Sequence, residues 1–252
     1  MDSQGILFIA AGEKYIRAAM RAASTVQIHS PGLATHLFGD WQNYGMRFDE
    51  SPHPFTSVGK IESPHRRSKV DYLPLSPYER TLYLDTDTAL NTDIRQMFNV
   101  LERFDIAFTH AHRRNFFERL KPWQLELPQA FPQYNGGVIL FRKTAQVIQF
   151  LEQWRDAYHA NLKDFQQDQR TLRELLWQSD LRMATLPPEY NVRYIKYHYL
   201  WSKSEAETKI FHLQRFHTGW FTWLFRPLTR KKFGIATRLG LDWLFNPKKR
   251  KR

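Results

Sequence analysis

The stretch ERTLYLDTDTALN, Glu79 to Asn91, decides how the rest of the chain is read. Leu82, Tyr83 and Leu84 form a short apolar run, the pattern of a strand buried on both faces. Two carboxylates, Asp85 and Asp87, follow where the strand gives way to a turn. Behind them NTDIRQMFNVLERF reads as a helix, with Asn91 or Thr92 as its N-cap and Asp93 favouring its first turn. Strand, acidic turn and helix in succession are the unit of an α/β sheet.

The same alternation extends in both directions. GILFIAA (Gly5–Ala11) reads as a buried strand, and YIRAAMRAASTV after it as a helix. THLFGD (Thr35–Asp40) and DIAFTH (Asp105–His110) are further strands. The segment from His110 to Gln133 is polar, aromatic and proline-containing, the composition of an irregular loop or lid. YNGGVILFR (Tyr134–Arg142) is a strand entered through a glycine pair, and a helix from Thr144 to about Asn161 follows it. DFQQDQRTLRELLWQS opens another helix, and IFHLQRF (Ile210–Phe216) is the last strand-like segment. The one shift in composition falls at Trp220–Pro227, which divides the chain into an α/β domain, 1–220, and a basic amphipathic segment, 221–252.

The chain has 252 residues, 42% of them hydrophobic, enough for one substantial core. The absence of cysteine excludes disulfides, thiolate nucleophiles and cysteine-held zinc. MDSQGILFIAAGEKY lacks the basic start of a signal peptide, and no run approaches the roughly 18 apolar residues of a membrane span. The expected location is therefore cytoplasmic. The formal charge is +12, yet Arg226 to Arg252 holds ten Lys/Arg against one acid, which leaves three net positives for the first 225 residues. That distribution argues against a nucleic-acid partner for the body. The tail mixes Trp, Phe and Leu with its basic residues, which fits peripheral docking on the anionic inner face of a membrane; an ordinary terminal helix with a solvated basic end is the plainer alternative.

Three chemistries suit an Asp-x-Asp pair. One acid could cap a helix while the other is solvated. An aspartyl phosphatase sets a nucleophile and an acid two residues apart, but follows them with Gly-Thr, where this chain has Thr88 and Ala89. The third is a cation site. Hard carboxylate oxygens suit Mg²⁺ or Mn²⁺, and ligands of α/β sheets bind outside the carboxyl ends of strands.

The ordered motifs YERTLYLDTDT, YNGGVILFR, QQDQRTL, LPPEYN and IFHL resemble those of family 8 glycosyltransferases, from about Gly5 to about Trp220. The resemblance implies a GT-A (Rossmann-like) fold with a mixed, mainly parallel sheet flanked by helices. It also implies a metal-dependent, retaining transferase that uses a nucleotide-diphosphate sugar, UDP being the expected nucleotide. Asp85, Thr86 and Asp87 then correspond to the metal and diphosphate turn. A histidine completes the Mn²⁺ (or Mg²⁺) site: His212 fits the strand end, while His217, followed by Gly219 and Trp220, is the alternative. Asn135, Gly136 and Gly137 correspond to a sugar-contacting strand start, where glycine lets a ligand approach the backbone. Asp168 and Gln169 resemble the acid–amide pair beside the donor sugar. Ala10, Ala11 and Tyr15 match a nucleoside-contacting strand end, although Gly12 and Glu13 depart from the family's usual acid there. Lys69 corresponds to the basic residue that meets the diphosphate, with Arg66 and Arg67 as alternatives.

The function this implies is sugar transfer to a glycan or a lipid-linked, lipopolysaccharide-type acceptor. A protein of the same fold that binds a nucleotide sugar without turnover is the alternative.

Overall fold

The computed structural model describes residues 3–112, 122–161, 168–202 and 204–218. The basic tail, segment 221–252, lies outside them, as does much of the expected lid. The first strand, β1 (Gln4–Ala10), shows why the sheet has two cores. Its side chains alternate: Ile6, Phe8 and Ala10 enter one apolar cluster, Leu7 and Ile9 the other. Residues 82–84 and 138–141 alternate likewise, with Leu82, Leu84, Val138 and Leu140 on the first side and Tyr83, Ile139 and Phe141 on the second. A strand buried on both faces needs no polar residues, which is why these segments read as continuous apolar runs.

The other strands are β2 (Ala34–Gly39), β3 (Ser57–Lys60), β4 (Arg80–Leu84), β5 (Thr88–Leu90), β6 (Ile106–His110), β7 (Tyr134–Arg142), β8 (Met183–Leu186) and β9 (Ile210–His212). The main sheet has the order β3-β2-β1-β4-β7-β6-β8. All its strands run parallel except β7, which is antiparallel to both β4 and β6. The helix α1 (Glu13–His29) covers one face through Ile16, Ala19, Ala22, Ala23 and Val26. Among the described residues, three helices cover the other: α2 (Lys69–Tyr72), α3 (Ala145–Ala160) and α4 (Asp168–Gln178). A short α5 (Ile195–Leu200) precedes β9. The result is the GT-A, Rossmann-like arrangement that the sequence implied.

Some elements differ from the sequence expectation. The segment after Asn91 is a tighter 3₁₀ helix over Arg95–Glu102, not an α-helix, and neither Asn91 nor Thr92 caps it. Instead Asp93 Oδ1 accepts from the Arg95 N–H at 3.0 Å and from Ser30 Oγ at 3.0 Å. IFHLQRF is strand only over Ile210–His212. It joins β5 in a separate two-stranded sheet; Leu213 N–H extends that pairing to Asp87 O at 2.8 Å, and the chain then enters a 3₁₀ turn. Of the loop between His110 and Gln133, residues 123–131 are pinned by α4. Buried Glu174 accepts the N–H groups of Trp123, Gln124 and Leu125, and Arg173 donates to the Pro128 and Phe131 carbonyls.

Candidate active site

The site is assembled by topology rather than by sequence proximity. β4 ends at Leu84, and its carboxyl end carries the turn 85–87, closed by Thr88 Oγ1 donating to Asp85 O at 2.8 Å. Because β7 runs antiparallel, its first residues lie at that same end; Asp85 N–H donates to Gly137 O at 2.8 Å. The antiparallel pairing of β5 with β9 sets Thr88 opposite His212, which delivers the histidine to the turn.

His212 Nε2 lies 3.1 Å from Asp87 Oδ1 and 3.5 Å from Asp85 Oδ2. These three side chains offer ligand atoms all within 4.8 Å of one another. His217 stands further out: its Nε2 is 4.0 Å from Asp87 Oδ1 and 3.1 Å from Thr86 Oγ1, and its ring packs edge-on against Tyr15. Two glycines make the crowding feasible. A Cβ on Gly137 would overlap His212 Cε1 and lie 2.5 Å from Asp85 Oδ2, while one on Gly136 would sit 3.0 Å from Lys69 Nζ. Both glycines therefore leave room for site side chains.

Lys69, only 7% exposed, is drawn inward. Its Nζ donates to Gly136 O at 2.7 Å, pairs with Asp168 Oδ2 at 2.8 Å and stands 3.9 Å from Asp85 Oδ1. Arg67 Nε lies 3.3 Å from Asp168 Oδ1, so both oxygens of Asp168 face cations. Burial pushes the Asp168 carboxyl up, but Lys69 and Arg67 outweigh it and hold it below the usual carboxylate range. Asp85 is likewise pushed up by burial and pulled well below by Lys69 and His212. Burial opposes ionisation of Asp87 too, and the charge of His212 reverses the shift downward. His212 moves oppositely: burial lowers it, and Asp87 brings it above the ordinary value.

These groups line a cleft of about 1070 Å³. Seven Lys/Arg face it (Lys14, Arg66, Arg67, Lys69, Arg170, Arg193 and Arg215) against three acids, Asp85, Asp87 and Asp168. The body's small net charge thus hides a local cationic excess, the field that concentrates an anionic ligand. Of the residues expected at the site, Tyr15, Ala11, Thr86, Asn135 and Gln169 line the cleft. Ala10 does not; it is 1% exposed and packs into the α1 core, because alternation along β1 turns Ile9 toward the cleft instead. Asn135 Oδ1 accepts from Gly137 N–H at 3.0 Å, and the Gln169 carbonyl accepts from Gln133 Nε2 at 2.6 Å.

Sequence reasoning did not single out Tyr83, whose hydroxyl donates to Asp85 Oδ1 at 2.7 Å, nor Asn191, whose Oδ1 lies 2.7 Å from His212 Nδ1. Tyr83 stands two residues before Asp85 on the same strand, so the period-two rule offered a signal for it. Asn191 closes the LPPEYN motif, but nothing in that spelling names its partner.

The α/β sheet thus carries, at the carboxyl ends of its strands, a cleft whose cationic excess suits an anionic ligand. A sequence model of the nucleotide-diphospho-sugar transferases matches residues 79–218, from the start of β4 to the end of the described chain. The match spans more than half of the sequence, and the protein belongs to that family, with the glycosyltransferase-like function and nucleotide-sugar donor that the family carries. Comparison with curated proteins yields no match.

Proposed function

We propose that the protein is a metal-dependent, retaining glycosyltransferase of family 8 type. In this reading it moves a sugar from a UDP-sugar to a glycan or lipid-linked acceptor. The observation that carries it is the convergence of Asp85, Asp87 and His212 at one end of a cationic cleft. Two hard oxygens and an imidazole nitrogen form a donor set that suits Mn²⁺ or Mg²⁺. When bound, such an ion supplies Lewis-acid stabilisation of the charge on a leaving diphosphate.

The protein's own residues do the rest. Lys69 and Arg67 fix the Asp168 carboxylate, which is placed to accept hydrogen bonds from the donor sugar. With cations on both oxygens, Asp168 is a poor covalent nucleophile, which favours attack from the face the diphosphate leaves. Gln169, beside it on the cleft wall, is assigned to the anomeric centre. Arg66 and Lys14 offer charge to the diphosphate at the open side, and Tyr15 with Ala11 flanks the nucleoside. Residues 1–220 constitute the catalytic domain, and segment 221–252 docks it on the anionic face of a membrane. No helix among the described residues is long and apolar enough to cross one.

A thermal-shift screen of nucleotide sugars with and without Mn²⁺ tests this reading. It predicts a metal-dependent upward shift with UDP-sugars, growing with ligand concentration as linkage requires. No shift with any nucleotide sugar, in either condition, would refute it.

A further inference from the structure

We infer that Asn191 is a positioning residue of this site: it sets the ring tautomer of His212 and so turns the Nε2 lone pair toward Asp85 and Asp87. The inference rests on the metal-dependent reading above and deepens it. A neutral imidazole has one lone pair for a cation, on whichever ring nitrogen lacks the proton. What faces the other nitrogen decides which that is.

His212 is 1% exposed and Asn191 2%, so bulk water settles nothing here. His212 Nδ1 lies 2.7 Å from Asn191 Oδ1. Asn191 Nδ2 donates to Thr109 Oγ1, at the end of β6, at 2.5 Å. In this orientation the amide nitrogen donates to Thr109 and the carbonyl oxygen faces the ring. A carbonyl oxygen only accepts, so Nδ1 carries the proton. Nε2 then presents a lone pair at 3.1 Å from Asp87 Oδ1 and 3.5 Å from Asp85 Oδ2. Once Nε2 gives up the proton that the carboxylates favour there, these three electron-rich atoms form a place for a cation. The reversed amide would give the opposite result: Nε2–H would donate to the carboxylates, and the histidine would have no lone pair to offer there.

The backbone holds the pair in register. His212 N–H donates to Val192 O at 3.0 Å, and Val192 N–H to Ile210 O at 2.9 Å. The residue after Asn191 is therefore laced to β9, which fixes the backbone from which ring and amide project.

Mn²⁺ binding by the full-length protein, followed as loss of the free-ion electron paramagnetic resonance signal, tests the inference. It is measured for wild type, Asn191→Leu, Asn191→Asp, His212→Ala and Asp85→Ala, with a melting curve for each. Asn191→Leu should lose about 10–100-fold in Mn²⁺ affinity, the usual effect of removing a ligand's outer hydrogen-bond partner. Asn191→Asp should match or exceed wild type, because a carboxylate can only accept from Nδ1–H and raises the basicity of the ring. A merely structural Asn191 predicts the reverse order, since Asp buries a charge. Wild-type affinity in Asn191→Leu, or weaker binding by Asn191→Asp than by wild type, overturns the inference; the second comparison decides if the leucine variant does not fold. Unchanged binding in Asp85→Ala and His212→Ala overturns the metal site itself. Loss in those two with none in Asn191→Leu overturns the role of Asn191 alone.

Discussion

Replacing Gly137 by alanine probes how tightly β4, β7 and β9 are packed around the site. The added Cβ would overlap His212 Cε1 and lie 2.5 Å from Asp85 Oδ2. Non-bonded carbon atoms rest at about 3.5–4.0 Å, so these groups must retreat by about 1 Å. Little room exists for that. His212 is held by Asn191 and by its backbone bond to Val192, and Asp85 by Tyr83 and by the β7 backbone. Overpacking of this kind costs about 1–3 kcal/mol. At about 2–4 °C per kcal/mol for a chain of this size, the melting point should fall by several degrees. A displacement of about 1 Å at a reacting centre also costs on the order of 100-fold in rate. Gly136→Ala is the control. Its Cβ would come no nearer than 3.0 Å to Lys69 Nζ, a milder approach than at Gly137, and the stability loss should be smaller, about 1 kcal/mol. Melting curves and Mn²⁺-dependent hydrolysis of a UDP-sugar are the assays. Wild-type melting and turnover in Gly137→Ala would refute the packing argument.

Other perturbations follow from the same structure. Lys69→Met removes the nearer cation from Asp168, 2% exposed, and leaves Arg67 at 3.3 Å. Breaking a buried pair costs about 3–5 kcal/mol, and the lower end applies because Arg67 remains; wild-type denaturation midpoints would contradict this. Thr144 Oγ1 accepts from the Val147 N–H at 3.3 Å as the N-cap of α3. Thr144→Ala should cost about 1 kcal/mol in urea unfolding without changing donor binding, and an unchanged midpoint would argue against the cap. Burial of His36 against Phe38 lowers its pKa from 6.5 to about 4. The unfolded chain therefore binds the proton first as pH falls. The stability from a neutral His36 is complete above about pH 6.5 and declines from there to about pH 4, at up to about 1.4 kcal/mol per unit. In His36→Phe that part of the acid sensitivity should vanish; an unaltered pH–stability curve would show that His36 does not contribute.

What the sequence disclosed depended on whether a feature is local. The strands that cross the sheet centre were legible because burial on both faces writes an apolar run; Tyr134–Arg142 was bounded correctly from its spelling. The helix α3 was legible because Thr144 caps it within its own first turn. β3, β5 and β8 were not read as strands. The first and last are half-exposed at sheet edges, and the middle one has three residues, too few to show a period. At the site, the two aspartates declared themselves by position. Which histidine lies nearer the aspartates turned on β5 pairing with β9, a contact between distant segments that no spacing encodes. The glycine pair suggested room for a ligand; Gly137 does line the cleft, and a Cβ on either glycine would also meet Lys69, Asp85 or His212. Asn191 carried no chemical signal until its partner was in place.

The central claim is that Asp85, Asp87 and His212 bind the ion through which a nucleotide-diphosphate sugar is activated. The direct measurement is release of UDP from a UDP-sugar by the full-length protein, with Mn²⁺, with chelator, and in Asp85→Ala. Turnover should require Mn²⁺, cease with chelator, and fall by about 10²–10³-fold or more in Asp85→Ala, the scale of losing an electrostatic stabiliser of the transition state. Full turnover with chelator, or in Asp85→Ala, would contradict the account.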